Sequence, residues 1–487
     1  ALTKLVRASF FNSLHLKYYR DWGVFMSSNE AGTGKSTKEH AQWGSRFGYI
    51  MVAAGAAIGL GNIWRFPYLA YGGGGGVFIV IYIIMAALMG YPLIKAESAI
   101  GRFARANVAA SFGAVKKKYR FVGWIAILCT TLIDMYYVIV GGWVLKYAVA
   151  YIIGEDFGSD TQVFFDGFTA SSVEPLVYTA IVMIVVAVLL FFGITNLVEK
   201  VTKIMMPVLF LLLVICGIWA VFSTPNAAEG LKYYIIPDFS KMSVKVFADA
   251  ATQVLFSIGI GWGIFVTLGA SLPKENNIKK DSVWIAVCDT VVALTAGFVI
   301  IPSAYGAGVD MASGPSLIFV VMTQIFSKLP GGRFIGIFFF IALLFAALST
   351  LFTIIEIPNK WLEESTHMSH RKSTTITSLI IFAGGIIVSL GFGVLSNVQL
   401  PFLDVHGVAY YNIYNWLDTF TAYILLPLGC LLTCFYVAKV WGFKDFEKEL
   451  TVNGRDGKFS QFQKVIYAVI VPALMLVVIL NCFGFIN

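Results

Sequence analysis

Residues 55–67 read GAAIGLGNIWRFP and residues 251–263 read ATQVLFSIGIGWG, each inside an apolar run long enough to cross a bilayer. Glycine weakens a helix, so Gly55, Gly59 and Gly61 in one run, and Gly259, Gly261 and Gly263 in the other, mark points where a membrane helix opens. An opened helix exposes carbonyl oxygens that coordinate a hard cation, and half-helix amides that hold an anion. Such backbone survives in lipid only if it is buried in protein or lines a cavity. Glycine also permits close helix packing. Clustering at mid-run beside polar neighbours, and recurrence in two separate runs, favours a pair of functional breaks.

The elements that must position these breaks are themselves apolar. Of 487 residues, 58% are hydrophobic and 13% charged, against about a quarter charged in soluble domains. Long apolar runs fall at about 46–71, 77–100, 121–152, 175–194, 202–222, 246–270, 283–305, 334–358, 375–395, 414–440 and 463–486. The breaks lie in the first and sixth, so 43–222 and 244–440 read as two repeats of five spans, with 463–486 as an extra helix. Basic residues crowd every second connection, from Arg102, Arg105 and Lys116–Lys118 to Lys439–Lys464, while the connection after the third run is acidic. This asymmetry predicts a cytoplasmic N-terminus and an external C-terminus. It assigns the net charge of +8 to topology rather than to nucleic acid.

Residues 1–42 read as a polar cytoplasmic tail ahead of a transmembrane domain at 43–487. The tail's GTGKST, Gly32–Thr37, lacks the glycine a phosphate-binding loop needs at Asn29 and the preceding strand. The six cysteines lie in apolar runs without metal-ligand spacing, and read as small core residues. His15, His40, His367, His370 and His406 lie outside the span interiors. No nucleophile–base pair stands out, so an enzyme is not expected. A channel needs a continuous polar pore, whereas these polar groups cluster at one depth.

GLGNIWRFP (59–67), GGGGGVF (72–78), YYVIVGGW (136–143), TPN (224–226), ATQVLFSIGIGWG (251–263), DTVVALTAGFVIIP (289–302) and AALST (346–350) together resemble the neurotransmitter:sodium symporter family, in particular its bacterial LeuT-like members. The resemblance runs from about Trp43 through the tenth span. It implies an all-α polytopic membrane protein of about eleven transmembrane helices, built as a 5+5 inverted repeat with helices 1 and 6 broken. It implies sodium-coupled symport of a neutral amino acid by alternating access in a prokaryotic plasma membrane, with two sodium ions and no organic cofactor. The partners are the amino acid, sodium and the lipid bilayer.

Carried over residue by residue, the resemblance puts one sodium on the Ala57 carbonyl, Asn62, Ser257 and Asp289. It puts a second on the carbonyls of Gly55, Ile58 and Ala346 with the hydroxyls of Ser349 and Thr350. Oxygen-only sets of this kind suit a hard cation. The substrate carboxylate is expected on the amides of Leu60 and Gly61 and the Tyr137 hydroxyl. Its amine is expected on carbonyls of Ala57, Phe256, Ser257 and Gly259. Ile133, Tyr137, Phe256, Trp262, Thr350 and Ile354 would surround the side chain. Phe256 is the expected lid, and Arg65 with Asp418 the expected outer gate. At the inner gate Glu364 is the acid, with Lys38, His40 or Arg46 as the base.

Asp289 lacks a basic residue within its own span. Chloride-dependent relatives carry a neutral residue there, so a built-in carboxylate implies chloride independence. Trp262 removes volume from the pocket and favours glycine or alanine, whereas the flanking glycines leave a larger hydrophobic or aromatic substrate open. Asp134, three residues before Tyr137, departs from the family pattern; substrate binding, proton relay and a structural partner are its open readings.

Overall fold

The computed structural model describes residues 42–306, 308, 316–405, 407–451 and 459–486. The expected tail up to residue 41, with Gly32–Thr37, Lys38 and His40, lies outside the described residues, as does His406.

Among the described residues, nine unbroken helices are long and apolar enough to cross a membrane. They are the second span, Gly76–Ala104, the third, Lys117–Ile153, the fourth, Glu174–Phe191, and the fifth, Ile194–Ser223. The seventh to eleventh are Ile278–Gly306, Gly332–Thr366, His370–Leu390, Ile413–Trp441 and Gln461–Cys482. The first span is a pair of helices, Arg46–Ala57 and Gly61–Gly72, bent by 54° at the break. The sixth is likewise a pair, Val244–Ile258 and Ile264–Ala270, each half too short to cross alone. All eleven expected runs are thus helical, with ends displaced by up to eight residues. One departure from an all-helical chain is an antiparallel hairpin before the tenth span, Leu400–Asp404 paired with Gly407–Tyr411. Its short run of aliphatic and aromatic residues with a turn glycine suits a strand pair.

The third span is the central post, with 72% of its most apolar window buried, against 33% for the fourth span and 28% for the eleventh. The broken first span packs against the fifth, seventh and eighth, and both halves of the sixth pack against the second. The outer spans turn their large apolar side chains outward, Ile184 and Phe222 among them, as a lipid-facing surface requires. Cys288 and Cys482 are partly exposed rather than fully in the core, and the other four cysteines are buried.

The charged connections gather at the two ends of the bundle. At one end Arg102 pairs with Glu449 through Nε at 2.6 Å and donates to the Asn276 carbonyl at 2.8 Å. At the other end Lys146, in the last turns of the third span, meets Glu155 at 2.9 Å and Glu174 at 2.8 Å.

The inner half of the sixth span crosses the second at backbone contact: a Cβ on Gly269 would stand 2.5 Å from the Ser98 carbonyl oxygen. Gly269→Leu is expected to cost about 1–3 kcal/mol through overpacking, seen as a lower thermal unfolding midpoint in detergent. Gly167→Ala, where a Cβ meets open space, serves as the neutral control. An unchanged midpoint for Gly269→Leu would contradict this packing.

Candidate functional site

The helix Arg46–Ala57 stops because Ile58 leaves helical geometry, at φ −77° and ψ 78°. Gly59 N then donates to the Ala57 carbonyl at 2.8 Å, an inverse γ-turn. The helix restarts with Asn62 N donating to Gly59 O at 3.2 Å, while the Asn62 side-chain oxygen accepts from Gly59 N at 3.1 Å. Leu60 N donates to the Tyr137 hydroxyl at 2.8 Å, and Gly61 O accepts from the Gln253 side chain at 3.0 Å. A Cβ on Gly59 would lie 2.8 Å from the Tyr137 hydroxyl and 3.0 Å from the Thr350 hydroxyl. Glycine at 59 therefore lets two hydroxyls reach the opened backbone.

The second break is built differently. Gly259, Gly261 and Gly263 have φ of 78°, 86° and 82°, the left-handed region that side-chain-bearing residues enter at a cost. Three left-handed glycines alternate with Ile260 and Trp262 and keep the chain from closing into a helix. Gly261 N donates to Glu97 at 2.7 Å, and the Trp262 carbonyl accepts from the Thr130 hydroxyl at 2.7 Å.

Asp289 ties the two breaks together. Its Oδ1 accepts from Asn62 Nδ2 at 2.7 Å and from the Ser257 hydroxyl at 2.8 Å. Its Oδ2 accepts from the Tyr82 hydroxyl at 3.1 Å. The first, second, sixth and seventh spans thus converge on one fully buried carboxylate. Three of the residues expected around one sodium, Asn62, Ser257 and Asp289, are in hydrogen-bond contact here.

The other expected set meets at the junction of the first and eighth spans. The Thr350 hydroxyl lies 3.4 Å from the carbonyl oxygens of both Gly55 and Ala56, and Ser349 donates to Ala346 O at 3.0 Å. A Cβ on Gly55 would lie 3.1 Å from Ser349 Cβ. The expected side-chain pocket residues Ile133, Tyr137, Phe256, Trp262, Thr350 and Ile354 are all buried, as are the expected carbonyl ligands Ala57 and Ile58. Phe256 and Trp262 stand edge to face at 5.4 Å, and the Arg65 guanidinium lies 5.0 Å above the Phe256 ring.

The gates differ from expectation. Arg65 and Asp418 form no ion pair among the described residues. Arg65 rests over the rings of Phe256 and Tyr423, and Asp418 accepts from the Tyr136 hydroxyl at 3.3 Å. Arg46 does not pair with Glu364. It binds Asp281, at the start of the seventh span, through Nε at 2.6 Å. Glu364 instead accepts from the backbone and side chain of Asn107, at 2.7 and 2.8 Å, at the start of the helix Val108–Gly113. A second tie holds the same end: buried Glu199 accepts from Gly44 N at 3.0 Å and pairs with Lys203 at 2.7 Å. His370 binds Glu363 at 2.9 Å and the Leu190 carbonyl at 2.8 Å. No cluster of metal-ligating side chains occurs among the described residues.

Tyr82, Glu97, Thr130, Glu199 and Gln253 escaped the sequence reading. Each is a polar residue within or beside an apolar run, and only Glu97 and Glu199 carry a charge.

Residues 40–155 and 171–486 match the family described as the Sodium:neurotransmitter symporter family. An uncharacterized sodium-dependent transporter of Haemophilus influenzae is 32% identical over 465 residues, spanning 92% of this chain and 99% of the relative. A Bacillus subtilis sodium-dependent transporter is 31% identical, over 93% of this chain and all of its own length. The crystal structure of MhsT in complex with L-phenylalanine superposes with a TM-score of 0.83 at 32% identity, covering 91% of this chain and 100% of that one.

Arg46 is half exposed, whereas the Asp281 carboxylate it caps is buried. Arg46→Ala strands that charge at a cost on the order of 1–3 kcal/mol. A lowered unfolding midpoint is expected, recovered in part by adding Asp281→Asn; no loss in the single variant would contradict the pairing.

Proposed function

The chain belongs to the sodium:neurotransmitter symporter family and is a sodium-dependent membrane transporter of LeuT-type fold, and from that premise we propose that it carries a neutral amino acid together with sodium by alternating access. The observation that carries this reading is the junction at Asp289, where side chains from both broken spans meet one buried carboxylate. Burial of a carboxylate among donors costs several kcal/mol in apolar surroundings unless charge or hydrogen bonds compensate it. A sodium ion taken up beside Asp289, with the Asn62 and Ser257 oxygens and the Ala57 carbonyl, compensates it directly. The second ion is assigned to Gly55, Ile58, Ala346, Ser349 and Thr350. The substrate carboxylate is assigned to Leu60, Gly61 and Tyr137, close to the first ion, so that ion and substrate stabilise one another.

The same cluster supports chloride independence. The Asn62 amide and the Tyr82 and Ser257 hydroxyls form a set of donors that suits an anion, and Asp289 supplies that charge within the chain. Phe256, with Arg65 over it, acts as the lid on one side of the substrate. Arg46–Asp281 and the Glu199 contact act as closures on the other, cytoplasmic side, the side that the basic connections mark. Trp262, buried against Phe256, favours a small substrate. An aromatic substrate is the second reading, favoured by the MhsT complex with L-phenylalanine.

Uptake of a labelled amino-acid panel into proteoliposomes tests the proposal. Sodium-dependent accumulation is expected for at least one neutral amino acid, with counterflow, and without a chloride requirement. Sodium-independent entry of the whole panel, or entry without counterflow, would overturn it. For Asp289→Asn, a tenfold or greater loss of sodium-coupled uptake is expected in chloride-free buffer, with partial recovery on adding chloride. Unchanged uptake by that variant at limiting sodium would contradict the assigned role.

A further inference from the structure

At the end of the bundle where Arg102 meets Glu449, a cavity of about 550 Å³ opens. Its walls are the last turn of the second span, the connection before the seventh and the helix Phe443–Leu450 that follows the tenth. Its charged lining is Arg102, Arg105, Lys274, Lys448, Asp445 and Glu449. Two of these six already satisfy each other. Arg102 is buried; its Nε pairs with Glu449 at 2.6 Å, and its other nitrogens donate to the Glu449 carbonyl and, at 2.8 Å, to the Asn276 carbonyl. Arg105, Lys274 and Lys448 then face one carboxylate, Asp445. None of these four side chains has an ion-pair or hydrogen-bond partner among the described residues.

The walls that carry these cations are joined to one another. Arg102 belongs to the first wall, the Asn276 carbonyl to the second and Glu449 to the third. Arg105 ends the helix Tyr91–Ala104 in left-handed geometry, at φ 49° and ψ 48°, a conformation that glycine or asparagine takes more cheaply. An arginine is kept there despite that cost, and it lines the cavity. The aromatic part of the lining sets the level of the cavity in the membrane. Phe103 is 47% exposed, and its ring lies 5.0 Å from that of Trp441 beside it in the wall. Aromatic rings of this kind gather at the headgroup level of a bilayer. Val115 lines the same cavity and leads into Lys116, Lys117 and Lys118, all exposed.

Unpaired cations at a membrane surface attract its anionic lipids, and a basic pocket between helices fixes a single headgroup. Arginine grips a phosphate through paired N–H groups, and lysine adds a compact charge. We propose that this cavity binds the headgroup of an anionic phospholipid, with Arg105, Lys274 and Lys448 on its phosphate and Asp445 on its hydroxyls. A zwitterionic headgroup brings its own ammonium, which the three cations repel, and is the poorer ligand. The bound lipid bridges the same three walls that Arg102 joins. No residue of either helix break lines this cavity, so the inference is independent of the substrate proposed above.

Native mass spectrometry of the full chain in detergent tests it, by titration with phosphatidylglycerol and phosphatidylcholine of matched acyl chains. Phosphatidylglycerol is expected to bind about tenfold more tightly or better. The combined variant Arg105→Gln, Lys274→Gln and Lys448→Gln is expected to lose that preference. A control variant, Lys200→Gln, Arg371→Gln and Lys372→Gln, removes three exposed cations outside the cavity and is expected to keep it. Equal affinity of the wild-type protein for both lipids would overturn the proposal, and that result needs no variant to fold. A preference that survives in the cavity variant, or falls equally in the control, would overturn it as well. Glycerol 1-phosphate offers phosphate and hydroxyls without acyl chains, and is expected not to displace the lipid at roughly equal concentration, since it lacks the buried chains. Displacement at that concentration would assign the cavity to a soluble phosphate and contradict the lipid assignment.

Discussion

Backbone amides and carbonyls have no water to turn to inside a bilayer, and that single constraint organises the centre of this protein. Two helices are opened at mid-membrane, and four of the freed groups meet side chains delivered from other spans. Tyr137 reaches Leu60 N, Gln253 reaches Gly61 O, Glu97 reaches Gly261 N and Thr130 reaches the Trp262 carbonyl. The rest of the fold is the scaffold that makes these deliveries possible. The third span supplies two of them and is correspondingly the most buried of the unbroken spans. Small residues where the sixth span crosses the second bring the backbones close enough for Glu97 to reach.

The charges follow from the same constraint. Asp289 is surrounded by donors rather than cations, which leaves its negative charge available to an incoming ion. Arg65 is held over two aromatic faces, an arrangement that keeps a cation within reach of the site without neutralising it. The ionic contacts that do close, Arg46–Asp281 and Arg102–Glu449, sit at the end of the bundle where the basic connections gather. Strong pairs are thus spent on holding the ends, and unpaired charges are kept at the middle.

Much of this architecture was legible in the residues. Hydropathy located all eleven helical runs, because a membrane segment announces itself by its apolarity. The glycine clusters at 55–61 and 259–263 marked both breaks: the second needs left-handed backbone angles that only glycine adopts cheaply, and the first lets two hydroxyls approach at Gly59. Tyr82, Glu97, Thr130 and Gln253 were not legible: one polar residue in an apolar run has many uses, and only the three-dimensional partner shows which. The contacts of the expected gate residues were hidden for a related reason. Asp281 reads as an ordinary charge at the head of a helix, and nothing local says that Arg46, 235 positions away, would pair with it.

The central claim is that the two breaks form one site in which substrate and sodium stabilise each other. Equilibrium binding of a transported amino acid, measured from sodium-free to saturating sodium, tests it most directly, with sodium affinity measured in turn with and without substrate. The account predicts that substrate affinity rises with sodium and that sodium affinity rises with substrate by the same factor, as linkage demands. Substrate affinity that stays constant across the whole sodium range would contradict it.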